Sequence, residues 1–189
     1  MRLVLATRND HKLREFRRLL PGVRIEPLPA EVELPPEGSD TYAGNALGKA
    51  RTAAAALGRA VIADDSGVEA AALDGRPGIH SARFAGAHAS DEDNLARLRA
   101  EAPAGSPLRY VCVIAHVAAD GTETCFTGTC EGTLAAEARG MGGFGYDPAF
   151  VPSDGGDGRT MAELTDAEKD ALSHRGRAAR RLLEWLEAA

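Results

Sequence analysis

The first quarter of the chain alternates between short apolar runs and apolar residues at helical spacing. Residues 3–6 form an apolar run of the kind found in a buried strand. The polar residues after it include Asn9 and Asp10, either of which is suited to cap a helix. Apolar residues then recur on one helical face at Leu13, Phe16, Leu19 and Leu20. Because a Pro-Gly pair at 21–22 ends this segment, we expect strand, polar turn and helix, with a second strand at 23–25.

The next segment changes from an acidic loop to an alanine-rich helix. Residues 30–40 are rich in Pro, Glu and Gly, which favours a loop. The alanine content of residues 41–57 favours a helix that ends near Gly58. Residues 60–63 predict a buried strand that ends at two adjacent carboxylates, and residues 68–73 predict a further short strand.

Capping motifs and a turn signal organise the second half. Residues 90–93 and 165–168 have the form of capping boxes, and each predicts the start of a helix. Between them, residues 110–118 and 122–131 are rich in strand formers and flank an Asp-Gly hairpin turn at 120–121. A terminal helix is indicated by Leu182, Leu183, Trp185 and Leu186.

These elements place the chain in the mixed α/β class. Its 189 residues suit a single domain over 1–189, and 44% hydrophobic with 26% charged residues is typical of a globular protein. The formal net charge of −6 argues against a nucleic-acid polymer as the main partner. A local basic pocket for a small polyphosphate is compatible with that charge.

No sequence feature indicates a membrane or an oxidising compartment. No apolar run approaches the roughly 20 residues of a membrane span, and the apolar start at 3–6 is too short for a signal peptide. Cys112, Cys125 and Cys130 are odd in number and lack metal-site spacing. We therefore expect reduced thiols in a cytoplasmic protein, with a Cys125–Cys130 disulfide as the less favoured alternative.

The polar junction after the first strand is a candidate phosphate site. A helix start presents free backbone N–H groups and a positive dipole end, to which Asn9 adds an amide and Lys12 a point charge. Lys49 is one of only three lysines in an arginine-rich chain, which suggests a need for a compact charge. The alternative is an ordinary helix cap followed by a solvated lysine.

Asp64 and Asp65 are a candidate metal and catalytic site. Adjacent carboxylates repel each other unless a cation or a proton resolves the repulsion. Hard oxygen ligands suit Mg²⁺, and a second carboxylate can deprotonate an attacking water. The alternative interpretation is an acidic turn.

Residues 143–148 are a candidate nucleobase site. Phe144 and Tyr146 alternate with glycines, and Asp147 precedes a proline that is expected to hold it extended. A ring face beside a fixed acceptor suits a base, although a glycine turn with two core aromatics would look the same.

A group of donors near the C-terminus could read carbonyl oxygens on a purine edge. These donors are Lys169, His174 and Arg175. The alternative is a helix surface whose arginines pair with Glu168 and Asp170.

Taken in order, the motifs resemble those of the Ham1-like inosine triphosphate pyrophosphatase family. The matching stretches are residues 7–12, 45–50, 63–67, 77–86, 142–148 and 173–178. They span nearly the whole chain, and their shared order makes the resemblance specific. The resemblance implies a long, twisted mixed sheet flanked by helices, with a central cleft between two lobes, usually as a homodimer.

The resemblance also implies residue roles. Asn9 and Lys12 would contact the triphosphate within a substrate-binding stretch of Thr7, Arg8, Asn9, Asp10, His11 and Lys12. Asp65 would be the catalytic carboxylate and Mg²⁺ ligand beside Asp64, Lys49 a further phosphate contact, and Ser66 part of the substrate site. Phe144 would stack on the base and Gly145, Tyr146 and Asp147 would line it. The purine 6-keto edge would be read by Lys169, His174 and Arg175.

The implied reaction is attack of water on the α-phosphorus of ITP, dITP or XTP, which gives a monophosphate and pyrophosphate. A Maf-type pyrophosphatase and a non-catalytic nucleotide-binding module are the alternatives.

Two departures from the family pattern bear on the site. Gly44 stands where the family usually has a metal-binding Glu, so that Asp40, Glu37 or a water is left to take its place. Arg8 replaces the glycine usual after Thr7, where it would either clash or add a phosphate contact.

Overall fold

A computed structural model describes residues 1–155 and 157–188. Their strands are β1 (Arg2–Leu5), β2 (Arg24–Pro27), β3 (Val61–Ala70), β4 (Pro107–Val117), β5 (Glu123–Leu134) and β6 (Phe150–Pro152). The six strands form one sheet in the order β2-β1-β3-β4-β5-β6. Strand β1 is parallel to β2 and to β3, whereas β5 and β6 are antiparallel. The predicted mixed α/β class is therefore confirmed.

The helices begin and end at the residues that the capping signals indicate. They are α1 (Asp10–Leu19), α2 (Tyr42–Leu57), α3 (Asp91–Glu101), α4 (Asp166–Leu172) and α5 (His174–Ala188). The Asn9 side chain caps α1, and Thr41 caps α2. Gly58 ends α2 in the left-handed conformation, with a φ of 61°. Both predicted capping boxes, at Ser90 and Thr165, are present.

The first of two compact units comprises Met1–Asp65, Cys112–Gly128 and Arg177–Ala189. One apolar cluster in this unit includes Phe16, Leu20, Ile62, Ile114 and Leu182. A second cluster consists of α2 alanines packed against valines and alanines of the sheet. Because alanine is small, α2 approaches the sheet closely and brings its polar residues against β3.

The second unit comprises Ser66–Val111 and Thr129–Gly176. Its core includes Leu98, Leu108, Phe150 and Met161, and Tyr110 stacks on Phe150 with ring centroids 4.2 Å apart. This packing fixes the start of β4, which carries one of the polar groups of the candidate site.

The prediction that a strand ends at Asp64 and Asp65 is wrong. Strand β3 continues through both carboxylates to Ala70, so no separate short strand follows at 68–73. Residues 71–73 instead form a 3₁₀ turn. The strand survives because both carboxylates have partners inside the protein, described below, and polar groups with partners can be buried.

The cysteine prediction and the membrane question are both addressed by the structure. Cys112, Cys125 and Cys130 take part in no disulfide among the described residues, as predicted. Among the described residues, no helix is long and apolar enough to cross a membrane.

His116 on β4 makes the stability of the protein dependent on pH. Its ring is buried and lies 5.1 Å from the Trp185 ring, and burial lowers the pKa of His116. The folded state therefore prefers neutral His116, so its contribution is complete above the unfolded pKa of about 6.5 and is lost as the pH falls. We therefore expect the free energy of unfolding to fall as the pH is lowered through about 6.5 and below.

The matched comparison is His116→Leu against His88→Leu, because His88 is exposed. The first substitution should reduce the pH dependence of the unfolding midpoint and the second should leave it unchanged. An equal pH dependence in wild type and His116→Leu would contradict the assignment.

Candidate active site

In the first unit, β3 places two carboxylates back to back. Asp64 and Asp65 are only 1% and 4% exposed, and successive strand residues point to opposite faces. Asp64 Oδ2 lies 2.9 Å from Lys12 Nζ. Asp65 Oδ2 accepts a 2.9 Å hydrogen bond from Asn45 Nδ2. The repulsion expected between the two carboxylates is therefore relieved by separate partners on α1 and α2.

Lys49 lies one helical turn after Asn45 and is also buried. Its Nζ is 2.6 Å from Glu37 Oε1. Burial acts to lower the pKa of Lys49, but the carboxylates of Asp64 and Glu37 outweigh it and the pKa is raised. The Lys49 side chain is therefore a fixed positive charge. We call Lys12, Glu37, Asn45, Lys49, Asp64 and Asp65 the carboxylate–lysine set.

Asp65 has the electrostatics expected of a proton acceptor. Burial raises the pKa of Asp65, and Lys49 and Asn45 oppose the shift without cancelling it. A carboxylate with a raised pKa is a stronger base than an exposed one, which is a common property of catalytic carboxylates.

The start of α1 is organised by Asn9. Its Oδ1 accepts hydrogen bonds from the backbone N–H groups of His11 and Lys12 at 2.9 and 3.2 Å. Thr7 Oγ1 accepts from the backbone N–H of Asn9 at 3.1 Å. Asp10 is the first residue of α1. Nδ1 of the exposed His11 ring lies 2.9 Å from Arg14 Nη2. The predicted helix cap at Asn9 is therefore confirmed, whereas a phosphate role for residues 7–12 stays a prediction.

The Arg8 side chain is directed at backbone carbonyl groups of a distant stretch of the first unit. Its guanidinium donates hydrogen bonds to the carbonyl oxygens of Leu28, Pro29, Ala30 and Val32. Of the two alternatives for Arg8, the clash does not occur, because the loop at residues 28–32 accommodates the side chain.

A divalent cation fits the donor chemistry of the carboxylate–lysine set. Among residues 1–155 and 157–188, no group of three or more His, Cys, Asp or Glu side chains is arranged to hold a metal. Helix α2 has no acid in its first turn, and a Cβ at Gly44 would overlap the Ser39 hydroxyl. The charges of Glu37 and Asp65 nevertheless act on each other and on Lys49. One or two carboxylates that share a cation with waters and phosphate oxygens are the usual Mg²⁺ arrangement.

In the second unit, the glycine-aromatic stretch is a tight turn closed by Asp147. Gly143 and Gly145 have φ values of 70° and 63°, which favour glycine. Asp147 Oδ2 accepts a 2.9 Å hydrogen bond from the backbone N–H of Phe144, and a Cβ at Gly143 would overlap that carboxylate. The prediction that Pro148 holds Asp147 extended is wrong, because Asp147 begins a 3₁₀ turn in which the backbone N–H of Phe150 donates to the Asp147 carbonyl oxygen.

Asp147 is buried, and both of its carboxylate oxygens already accept hydrogen bonds from side chains of the protein. Its Oδ2 lies 2.7 Å from Lys169 Nζ on α4, and its Oδ1 accepts from the Tyr110 hydroxyl at 3.1 Å. Burial and the Asp147 charge raise the pKa of Tyr110 well above its ordinary value, so the hydroxyl keeps its proton. Asp147 therefore fixes Lys169 and Tyr110 in place.

The three predicted base-reading donors lie near the aromatic rings of the second unit. Lys169 Nζ and Arg175 Cζ lie 5.2 and 5.5 Å from the Phe144 ring centroid. The His174 ring stacks on Tyr110, with centroids 4.4 Å apart. Residues Tyr110, Phe144, Asp147, Lys169, His174 and Arg175 are here called the aromatic–cation set.

The alternative that residues 173–175 lie on a helix surface is wrong. Arg175 is 3% exposed and His174 is 6% exposed. Arg175 donates a 2.9 Å hydrogen bond to Ser66 Oγ. Glu168 lies on Arg159 instead of a nearby C-terminal arginine. A buried guanidinium is costly unless it is paired, so the placement of Arg175 here indicates a candidate site.

Other members of the glycine-aromatic turn hold it in position. The Tyr146 hydroxyl donates to the Ser81 carbonyl oxygen at 2.7 Å, and the Gly145 N–H donates to Asp91 Oδ2 at 2.8 Å. The Tyr146 side chain thus acts as an anchor inside the protein.

Sequence reasoning missed Asn45, Tyr110 and Asp91 as members of the site. Asn45 carried a usable signal, because it is polar within an alanine-rich helix and lies four residues before Lys49. Tyr110 and Asp91 gave no local signal, since their partners are distant in sequence.

Solved structures of known proteins show which structural class shares this fold. Solved structures with this mixed α/β fold include a HAM1 protein from Coxiella burnetii, with a TM-score of 0.87 and 37% identity over 100% of both chains. The Staphylococcus aureus Ham1 protein has a TM-score of 0.84 and 36% identity, covering 100% of this chain and 99% of its own.

Sequence comparison gives the family. The model of the Ham1 family matches residues 3–185, and the chain belongs to this family. The dITP/XTP pyrophosphatase of Symbiobacterium thermophilum is 50% identical, with 99% of this chain and 95% of that protein covered. That of Mycobacterium tuberculosis is 45% identical, with 99% and 96% covered.

Proposed function

We propose that this protein hydrolyses non-standard purine nucleoside triphosphates, such as dITP, ITP and XTP, to the monophosphate and pyrophosphate. The observation that carries the proposal is the aromatic–cation set, in which Lys169 Nζ and Arg175 Cζ lie 5.2 and 5.5 Å from the Phe144 ring centroid and the His174 ring stacks on Tyr110. Relatives that share nearly the whole chain carry the name dITP/XTP pyrophosphatase, which supports the same activity.

The aromatic–cation set accounts for selection of the base. Phe144 stacks on any purine, so the stacking ring alone does not choose between bases. Lys169 and Arg175 are donors without acceptor capacity, which suits a 6-oxo group and leaves them unsatisfied by the 6-amino group of adenine. Because an unsatisfied buried donor costs about 1–3 kcal/mol, two donors give a large preference for 6-oxo purines. Asp147 holds Lys169 in this position without itself reading the base.

The carboxylate–lysine set accounts for the phosphate chemistry. Lys12 and Lys49 neutralise phosphate charge, and the Asn9 amide nitrogen adds a hydrogen-bond donor beside the positive end of α1. Asp65 accepts a proton from the attacking water, aided by the burial that raises its pKa. Asp64 holds Lys12 at 2.9 Å and so orients that charge.

A magnesium ion is part of the proposal. Asp65 would hold it, and when bound it would polarise the phosphate oxygens and offset the charge of the leaving pyrophosphate. We further propose a single-domain homodimer in the cytoplasm that acts on free nucleotides and not on a nucleic-acid polymer. The net charge of −6 supports the last point.

Pyrophosphate release from dITP and from dATP, each with and without Mg²⁺, tests the proposal. We expect a preference for dITP of about 30-fold or more, because dATP leaves two buried donors unsatisfied at a cost of about 1–3 kcal/mol each. Release should require the divalent ion.

The other outcomes distinguish the alternatives. Equal rates on dITP and dATP would remove the base-reading assignment. Preference for pyrimidine or modified nucleotides would indicate a Maf-type enzyme. Tight ITP binding with no turnover at millimolar Mg²⁺ would indicate a binding module.

A further inference from the structure

Arg8 has more hydrogen bonds to backbone carbonyls than an ordinary surface arginine needs. Its Nη1 donates to Leu28 O at 2.9 Å. Its Nη2 donates to Pro29 O at 2.9 Å, Ala30 O at 3.2 Å and Val32 O at 2.6 Å. The four carbonyl oxygens solvate the guanidinium, which keeps its positive charge. The side chain is therefore occupied by residues 28–32 rather than directed at a phosphate.

Those carbonyls belong to a loop that reaches the carboxylate–lysine set. Residues 28–40, here the 28–40 loop, contain neither helix nor strand. Val32 buries its side chain in the core cluster beneath α2. Beyond it, Glu37 lies 2.6 Å from Lys49 Nζ, and the Ser39 N–H donates to Asn45 Oδ1 at 3.0 Å. The loop thus contacts two α2 residues, of which Asn45 also donates to Asp65.

A loop without regular structure has few bonds of its own to fix its position. Arg8 fixes its beginning, and Lys49 and Asn45 fix its end. Lys49 is surrounded by the charges of Asp64, Glu37 and Asp65, so the location of Glu37 decides which carboxylate the ammonium faces.

We propose that Arg8 is a positioning residue that acts on Lys49 through the 28–40 loop and Glu37, and does not itself bind phosphate. The inference rests on the proposed function only for the role of Lys49 as a phosphate contact. It differs from the sequence expectation that Arg8 either clashes or contacts phosphate.

The unliganded protein tests the inference without turnover. Arg8→Ala should raise hydrogen exchange of the 28–40 loop by about ten-fold or more, since its anchoring bonds are removed. Acetylation of Lys49 by an amine-reactive reagent, followed by mass spectrometry, should rise in Arg8→Ala and in Glu37→Gln. The chain has three lysines, and Lys169 in the second unit serves as an internal reference that should not change.

Steady-state kinetics distinguish a positioning role of the Arg8 side chain from direct contact with phosphate. Arg8→Ala and Glu37→Gln should each raise KM for dITP by roughly 3- to 30-fold with a smaller change in kcat, and the double variant should not exceed the larger single effect. Arg8→Lys keeps a positive charge but one ammonium cannot bond to four carbonyls, so it should behave like Arg8→Ala. Arg99→Ala is the matched control, because Arg99 is exposed and donates to the carbonyl of Ala136 in the second unit.

Three results would overturn the inference. The first is a KM effect of Arg8→Ala that Arg8→Lys rescues while loop exchange stays at the wild-type rate, which indicates direct phosphate contact. The second is faster loop exchange with unchanged Lys49 acetylation, which indicates a purely structural role. The third is additive KM effects in the double variant. Absence of dITP hydrolysis in wild type would refute the proposed function, whereas exchange and acetylation would still decide the role of Arg8.

Discussion

Asp65→Asn is expected to lower kcat for dITP by about 10²- to 10⁴-fold while leaving nucleotide affinity nearly unchanged, since loss of a general base costs this much. The amide oxygen of asparagine can still accept the Asn45 hydrogen bond that Asp65 Oδ2 accepts at 2.9 Å. The side chain therefore keeps its place but can no longer take a proton or hold a cation.

Single-turnover pyrophosphate release and equilibrium binding of dITP are the measurements. Asp120→Asn in the exposed hairpin turn is the control, and its kcat should equal that of wild type. The thermal midpoint of Asp65→Asn should not fall, because a neutral amide is less costly to bury than a carboxylate whose pKa burial raises. Retention of full turnover would move the catalytic role to another residue.

Asp147→Ala is expected to lower the free energy of unfolding by about 3–5 kcal/mol, since it leaves a buried charge without its counterion. Lys169 Nζ lies 2.7 Å from Asp147 Oδ2, with side-chain exposures of 7% and 6%. The same carboxylate also accepts from Tyr110 and from the backbone of Phe144, so the glycine-aromatic turn should loosen.

Chemical denaturation measures this loss, and two comparisons isolate its cause. Glu123→Ala breaks the exposed Arg51–Glu123 pair and should lower the free energy of unfolding far less than Asp147→Ala, because solvent screens exposed charges. The double variant Asp147→Leu/Lys169→Met removes both charges and should lose less stability than Asp147→Ala. If Asp147→Ala cost no more than Glu123→Ala, the pair would not be the anchor of the aromatic–cation set.

Local chemistry allowed much of the fold to be predicted. Asn9, Ser90 and Thr165 cap helices because their side chains satisfy N–H groups a few residues away, and Gly58 ends α2 for an equally local reason. These interactions are contained in short stretches of sequence, so a reader of the sequence can find them.

The errors arose where distant residues decide local structure. Strand β3 passes through Asp64 and Asp65 because Lys12 and Asn45, far apart in the sequence, each reach one of the two carboxylates. Asp147 turns instead of extending because Lys169 and Tyr110 occupy its oxygens. Motifs pointed to most of the candidate site residues, but the contacts that each side chain makes could not be predicted from them.

The packing of Trp185 has a spectroscopic consequence. It is the only tryptophan in the chain, and its ring lies on His116 and Phe126 in the first unit. Tryptophan emission therefore reports the environment of that unit alone and is blind to events confined to the second. Nucleotide titrations followed by intrinsic fluorescence should thus be interpreted as signals from the unit of the carboxylate–lysine set, while the unit of the aromatic–cation set needs a separate probe.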